Sequence, residues 1–316
     1  MSESPGSSAP SGWAVLLLGH GAPERLGDIP EFLLNVRGGR GLPEQAVQDI
    51  IERYAGIGGG SPLTKITMQQ AEALAGTLGL PVYVGMRNWK PYIEDAVQRL
   101  VEGGAERAVA VCLAPQNSRS SIGLYHSHLA KAVDKVAPGL RVEFVDSWHD
   151  HPGLITAFCE RVSCALTRAE EEARQAVPVV FTAHSVPVRT IEEGDPYEDQ
   201  VKETARLVAK AMRLENYRVA FQSQGMAPDP WVGPTVESLI DEFAAQGQRH
   251  IVLAPIGFVS DHVEILYDID IVFREYGQKR GISVVRSESL NDNPLFIRSL
   301  ASVVSSRIET AAGRCA

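Results

Sequence analysis

Two residues of this 316-residue chain stand where proton and metal chemistry could be done. His184 closes the apolar run VPVVFTAH at 177–184 and is followed by Ser185, Val186 and Pro187. Glu264 ends GFVSDHVE at 257–264, directly after a second apolar run at 251–256. Each therefore sits at the mouth of an expected buried strand. A neutral imidazole, with a free pKa of about 6.5, accepts a proton at cellular pH. A carboxylate beside it would form an anionic, metal-attracting wall. That pairing suits removal of protons from ring nitrogens while a divalent metal takes their place. Taken alone, His184 reads equally well as a half-buried histidine bonded to a backbone carbonyl.

Glu264 belongs to a series. Asp261, Glu264 and Asp268 are spaced i, i+3 and i+7 and share one face if the segment is helical. Such a face can simply be solvated. Here, however, the series begins straight after a buried run, and Ile265, Leu266, Ile269, Ile271 and Val272 crowd it. Carboxylates held among apolar residues need a partner, commonly a metal or a base. A line of oxygen donors suits a metal that is handed on. A tight cage would instead show three or four His or Cys ligands at fixed spacing, and the sequence has no such spacing. His262 neighbours Glu264 and fits a supporting role.

His20 is the counterpart of His184 earlier in the chain. If the two regions face each other, its imidazole reaches the opposite side of a bound ring; the alternative is a hydrogen bond that anchors a loop. Arg37, Arg40 and Arg53 lie close together in an acidic chain, and arginine suits bidentate binding of carboxylates. Tyr54, Ser61 and Tyr125 offer hydroxyls from the same loops. Trp89 and Trp231 read as wedges at strand–helix corners, with lining of an aromatic pocket as the alternative. Cys159 and Cys164 are five apart and do not share a helix face, Cys112 lies in a strand, and Cys315 is next to the carboxyl end. Core or incidental roles are expected for them, and no metal cluster. His126, His128, His149, His151 and His250 read as surface residues.

The elements that must position these groups follow a regular rhythm. Short runs rich in Val, Leu and Ile predict strands at 13–18, 81–85, 108–114 and 141–145, and again at 177–183, 218–222, 250–255 and 282–286. They alternate little, as strands buried on both faces do. Helix-length segments such as 93–101, 122–136, 201–212 and 235–245 separate them, which predicts a parallel α/β architecture. The two sets resemble each other: LGHGAP at 18–23 parallels TAHSVP at 182–187, and LAP recurs at 113–115 and 253–255. Two similar Rossmann-like, parallel-sheet halves facing a central cleft are expected, at 13–172 and 173–316. The last helix is expected to pack back on the first half. The first half carries extra chain, about 20–62, with Gly-rich stretches at 38–41 and 56–60. Extra chain at the carboxyl end of a strand lies over the crevice where open α/β sheets bind ligands, so a mobile flap is expected there.

Composition bounds the rest. The formal charge of −9 argues against broad nucleic-acid binding, and no stretch of about 18 apolar residues spans a membrane. Residues 1–12 are Ser-, Pro- and Gly-rich, lack the features of a signal peptide, and read as a disordered tail. Four cysteines make no disulfide framework, so a reducing cytoplasm is expected.

Set side by side, GGGSPL (58–63), MRNWKP (86–91), LAPQNS (113–118), FTAHSVP (181–187), FQSQGMAPDPWVGP (221–234) and GFVSDHVEILYDID (257–270) resemble the ferrochelatase family. The likeness runs in order from about 13 to 310. The PDPW and DHVEILYD segments, with GDPYEDQV at 194–201, look closer to the coproporphyrin-using branch than to the protoporphyrin-using one. The resemblance implies insertion of ferrous iron into a porphyrin in haem biosynthesis. Coproporphyrin III would be the substrate, with protoporphyrin IX as the alternative. Ferrous iron is then a substrate, no cofactor is required, no iron–sulfur cluster is expected, and a downstream haem-pathway enzyme would receive the product. It implies that His184 and Glu264 are the proton-acceptor and metal-handling pair, that Asp268 belongs to an outer acidic path, and that Arg53 lies near its mouth. It implies that Arg37, Tyr54, Ser61 and Tyr125 hold propionates or the ring edge. The branch often has Tyr where this chain has His20, so His20 would ligate iron from the other face. Where it can carry Lys-His, this chain has Arg87-Asn88, which retains a basic group at Arg87 and loses a titratable one. Val272 replaces an acidic residue of the outer path.

The expected mechanism binds the tetrapyrrole bent, with strain of about 1–5 kcal/mol drawn from remote contacts such as propionates. His184 takes pyrrole protons while Glu264 and Asp268 relay them or guide iron. Rival readings are insertion of cobalt or nickel into a reduced tetrapyrrole, a haem carrier or sensor on the same scaffold, and a two-domain solute-binding protein.

Overall fold

A computed structural model describes residues 12–225 and 229–314. The tail at 1–11, residues 226–228 of the motif before Trp231, and Cys315 lie outside the described residues. The chain opens with β1 (Trp13–Gly19), a 3-10 turn, and helices α1 (Ile29–Val36), α2 (Glu44–Gly56) and α3 (Leu63–Leu78). Then follow β2 (Val82–Met86), α4 (Ile93–Glu102), β3 (Arg107–Cys112), α5 (Ile122–Val136) and β4 (Arg141–Val145). Helix α6 (Pro152–Ala173) leads to β5 (Val179–His184), α7 (Val188–Glu192), α8 (Tyr197–Met212), β6 (Tyr217–Gln222), α9 (Val236–Ala245) and β7 (His250–Pro255). The chain ends with α10 (Val263–Leu266), a π-helical stretch (Asp268–Phe273), α11 (Arg274–Gln278), β8 (Ser283–Arg286) and α12 (Pro294–Gly313).

The strands form two parallel sheets, β2-β1-β3-β4 and β6-β5-β7-β8, in the same order. The architecture is the expected pair of Rossmann-like α/β halves. The uninterrupted apolar runs arise because the inner strands β1, β3, β5 and β7 are buried on both faces. Leu16, Leu18, Ala110 and Cys112 pack with α4 and α5. Val15, Leu17, Val109 and Val111 face the other way, into a core that continues through α6 and α12 to Val179, Phe181, Ala183 and Val252 of the second sheet. Both first strands, β1 and β5, are central, so their carboxyl ends are fixed by neighbours on either side.

Helix exchange locks the two sheets together. Helix α12 starts at Pro294, which tolerates the first helical position, and is capped by Asn293 Oδ1, which accepts from Leu295 N at 2.8 Å and Phe296 N at 3.3 Å. It packs back on α3, β3 and β4 of the first sheet. Helix α6, which precedes β5, packs on α8 and β7 of the second.

The extra chain of the first half is not the Gly-rich flap expected from its composition. It folds as α1 and α2, which pack on each other, and Ile29, Phe32 and Tyr54 are buried. The apolar positions Val47, Ile50, Ile51 and Tyr54 recur at helical spacing, and this pattern prevails over the flanking glycines. Gly58 and Gly59 only end α2, in the positive-φ region, with Gly59 N–H donating to Tyr54 O. Among the described residues no helix is long and apolar enough to cross a membrane.

Candidate active site

Strand β5 delivers His184 as its last residue, paired in register with Gln222 of β6. The segment after β7 must cross this strand end closely. A Cβ at Gly257 would lie 2.5 Å from the Ala183 Cβ and 2.7 Å from its Cα, so glycine is required for the crossing. Past it, the chain turns residues 262–268 towards His184.

The His184 Nδ1 lies 2.5 Å from Ser185 O. A carbonyl only accepts, so Nδ1 carries the proton and Nε2 keeps its lone pair. Ser185 is itself held, its N–H donating to Gln222 O at 2.7 Å and its hydroxyl to Val232 O at 2.7 Å. Tyr197 O–H donates to His184 O at 2.9 Å. The orientation of the imidazole is thus set by the backbone on both sides. Its Nε2 is 3.6 Å from Glu264 Oε1, and the two side chains remain 37% and 34% exposed. Both side chains therefore keep contact with solvent.

The other Glu264 oxygen lies 3.5 Å from His262 Nε2, and His262 Nδ1 donates to Ser260 O at 2.9 Å. Gln222 Nε2 donates to the Glu264 carbonyl at 2.9 Å. Burial would raise the Glu264 pKa. The charge that His184 carries when protonated, the hydrogen bond and charge of His262, and the charge that His20 carries when protonated outweigh it and hold the carboxyl at about 2. Burial would likewise lower the His262 pKa, but the hydrogen bond and charge of Glu264 raise it. Glu264 is therefore a permanent anion in the physiological range.

The next carboxylate of the series is Asp268, whose Oδ2 accepts from Ser223 Oγ at 2.6 Å. Burial raises the Asp268 pKa, helped by the Glu264 charge and opposed by the Ser223 bond and by Arg53. Arg53 stands at the outer edge, its guanidinium 5.8 Å from the Tyr267 ring centre. Asp261 does not join this line. It precedes α10, and its carboxylate is taken by Arg286 at 3.2 Å, Ser289 at 2.7 Å and Asn291 at 2.9 Å. The single helical face expected for Asp261, Glu264 and Asp268 fails because α10 is one turn long and gives way to the wider π-helix.

On the first half, the ladder runs one step past β1 and β2. Arg87 N–H donates to Gly19 O at 2.9 Å and Asn88 N–H to His20 O at 3.0 Å. This brings Asn88 beside His20. His20 Nδ1–H donates to Gly21 O at 2.9 Å, and Asn88 Nδ2 lies 2.9 Å from Nε2, which accepts. The axial role expected for His20 requires that last bond to open. Gly21 has φ of +79°, and a Cβ there would lie 2.8 Å from Trp89 N. His20 is exposed as a residue. Partial desolvation by the surrounding protein, with the Arg87 charge, lowers its pKa to about 4.

Arg87 lies 4.9 Å over the Tyr125 ring, and its Nη1 is buried with no hydrogen-bond partner among the described residues. Tyr125, Tyr54 and Ser61, expected to present hydroxyls, are all buried. Ser61 Oγ accepts from Leu63 N at 3.3 Å at the start of α3, and Tyr125 backs Arg87. Arg37 is half-exposed, with Nε donating to Arg40 O at 3.2 Å. Trp89 is buried beside Phe32 at 6.1 Å, the wedge that its position suggested. Sequence reasoning missed Asn88, Gln222, Ser223 and Tyr197 as supports. For the first three the signal lay in strand order, because residues just past β2 and β6 must adjoin those just past β1 and β5.

Among the described residues no group of three or more His, Cys, Asp or Glu side chains forms a metal-holding cluster. Cys112, Cys159 and Cys164 are free thiols. A cavity of about 500 Å³ lined by Arg168, Glu172, Arg274 and Arg286 borders β8 and includes none of the groups around His184.

The ferrochelatase family model matches residues 13–308. The chain belongs to the ferrochelatase family. It is 46% identical over 312 residues to a ferrochelatase of Acidobacterium capsulatum, with 94% of each chain covered. It is 42% identical over 297 residues to a ferrochelatase of Deinococcus radiodurans, covering 92% of this chain and 94% of that one. A coproporphyrin III ferrochelatase of Geobacillus kaustophilus is 38% identical over 301 residues, covering 93% and 95%. Among solved structures, the cobalt complex of the sirohydrochlorin chelatase SirB from Bacillus subtilis subspecies spizizenii superposes with a TM-score of 0.58 at 13% identity. The superposition covers 95% of this chain and 97% of that one and reports a shared fold. Within this ferrochelatase, the groups that converge are His184, Glu264, His262 and Asp268 from one half, and His20, Asn88 and Arg87 from the other.

Proposed function

We propose that this chain inserts ferrous iron into coproporphyrin III, giving Fe-coproporphyrin III in haem biosynthesis. As a ferrochelatase it is an enzyme, a porphyrin metal chelatase of the lyase class. The observation that carries the reading is the approach of His184 Nε2, with its lone pair free, to within 3.6 Å of the Glu264 carboxylate.

The chemistry follows from that geometry. Metal insertion replaces pyrrole N–H protons by iron. The two pyrrole protons pass to His184 Nε2 one at a time; the imidazolium, stabilised by the adjacent Glu264 anion, gives the first to solvent before it takes the second. With a pKa of about 2, Glu264 is a poor proton store, so its part is to hold charge: it steadies the imidazolium and attracts the incoming cation. Asp268, with its raised pKa and single Ser223 bond, binds a metal weakly enough to pass it on. Arg37, Arg53 and Arg87 form no ion pair among the described residues, and the substrate's propionates complete them. Tyr54, Ser61 and Tyr125 act from behind this surface. Coproporphyrin carries propionates where protoporphyrin IX has vinyl groups, so three unpaired cations favour it. We further propose a cytoplasmic site of action and transfer of the product to a later enzyme of haem synthesis.

The test is anaerobic ferrous iron with coproporphyrin III and protoporphyrin IX in parallel, followed by absorbance. Faster turnover of coproporphyrin III is expected. A preference for protoporphyrin IX would reverse the substrate assignment, and stoichiometric haem binding without turnover would make the protein a carrier.

A further inference from the structure

Asn88 has no part in the proton or metal steps above, yet it occupies the one nitrogen of His20 that could meet a metal. The bond is specified from several sides. His20 Nδ1 must carry the proton because it faces Gly21 O at 2.9 Å, so Nε2 is an acceptor. Asn88 Nδ2 supplies the donor at 2.9 Å. The Asn88 backbone is pinned at both ends: its N–H donates to His20 O at 3.0 Å, and its carbonyl accepts from Asn35 Nδ2 at 3.3 Å. The side chain is buried, 5% exposed, so water offers it little competition. The corresponding residue of the other half behaves differently. Register makes Ser223, one past Gln222, the equivalent of Asn88, and its hydroxyl turns to Asp268, leaving His184 Nε2 open.

We propose that Asn88 is a positioning residue that holds His20 Nε2 and so disfavours ligation of the metal by His20, weakening the axial hold on the iron porphyrin on that face and easing its departure. This rests on the porphyrin reading above. A net hydrogen bond of about 0.5–1.5 kcal/mol would have to be broken before His20 could ligate, which weakens ligation by up to about tenfold.

The experiment uses the full chain in two arms. In the first, ¹⁵N-histidine spectra of the free protein at pH 7 identify the His20 signals by their loss in His20→Ala. The expected pattern is a neutral ring protonated at Nδ1, with a hydrogen-bonded Nε2 that becomes free in Asn88→Leu. A proton on Nε2 in the unaltered protein overturns the proposal. In the second, ferric coproporphyrin III is bound and its absorption recorded. The spectrum should be the same in the unaltered protein and in His20→Ala. Asn88→Leu should shift the Soret and charge-transfer bands and tighten binding by up to about tenfold, and His20→Ala in that background should reverse both. Asn88→Asp, which keeps the volume and as a carboxylate can only accept a hydrogen bond, requires a proton on Nε2 and should retain the unaltered spectrum. A His20-dependent spectrum without any change at Asn88, or no shift in Asn88→Leu, overturns the proposal. If ferric coproporphyrin III does not bind at all, the functional reading fails, and the first arm still decides whether Asn88 holds Nε2.

Discussion

His184 and His20 leave equivalent strand ends, β5 and β1, and both donate Nδ1–H to a nearby carbonyl, Ser185 O and Gly21 O. They part at Nε2. At His184 it faces the Glu264 carboxylate at 3.6 Å; at His20 it is taken by Asn88 at 2.9 Å, with desolvation and then the Arg87 cation depressing its basicity. The duplicated backbone supplies the same imidazole twice. Its use is decided by side chains from the neighbouring strand and from the segment after β7. One imidazole is left facing an anion, whereas the other is desolvated and bonded to an amide beside a cation.

The sharpest way to break this contrast is to remove the active member. His184→Ala is expected to lower kcat by about 10²–10⁴-fold, the range for loss of a general base, while fluorescence-monitored porphyrin binding is largely retained. Full turnover in that variant would strip His184 of its role. Glu264→Gln keeps the shape and removes the charge. Its effect should fall at the lower end of the same range, about 10²-fold. Because the Glu264 bond and charge raise the His262 pKa, the His262 titration followed by NMR should move down in Glu264→Gln. An unmoved titration would mean that Glu264 is not the anion at this site.

The strands and their parallel order were legible because buried runs without alternation have few other solutions, and the repeat of a histidine-ended strand pointed to both His184 and His20. The pairing of His184 with Glu264 was legible for the same reason, since each follows a strand of the same sheet. Three features were not. The α1–α2 pair hid behind glycines that only terminate α2. Asp261 looked like a member of the acidic face because α-helical spacing was assumed from 261 onwards, whereas the helix starts only at Val263. Asn88 looked like the loss of a titratable group, and its bond to His20 became visible only once β1 and β2 were neighbours in space.

Arg87 sharpens the comparison from the other side, because it gives the first half its positive character. Arg87→Ala is expected to raise KM for coproporphyrin III by about tenfold to 10²-fold, corresponding to about 1.5–3 kcal/mol for a lost charged hydrogen bond, with kcat little changed. Arg87→Lys should recover part of this, because the charge returns without the fork that meets a carboxylate. Tyr125→Leu removes only the face under the guanidinium, a cation–π contribution of about 0.5–1 kcal/mol, and should raise KM a few-fold. A change confined to kcat in Arg87→Ala would transfer Arg87 from substrate binding to the chemistry itself.

The smallest expected effect is one of stability. The His20 pKa falls from an ordinary 6.5 to about 4 in the folded chain, so folding favours the neutral ring. Its contribution is fully present above pH 6.5 and is lost as pH falls through 4. The Glu264 pKa falls from 4.5 to about 2, so its contribution is present above pH 4.5 and is lost as pH falls towards 2. The two windows are largely separate. Thermal midpoints of His20→Ala should therefore decline less steeply than those of the unaltered protein between pH 6.5 and 4, with the steep loss below 4.5 retained. His128, His149 and His151, whose pKa values burial also lowers, add to the same slope, but they are common to both proteins and cancel in the difference. Parallel curves across the upper window would mean that His20 takes up a proton in the folded chain as readily as in the unfolded one. A bond from Asn88 to Nε2 favours the neutral ring, so an unshifted proton affinity would mean that this bond contributes nothing to holding it, and the division of labour between the two strand ends would need another cause.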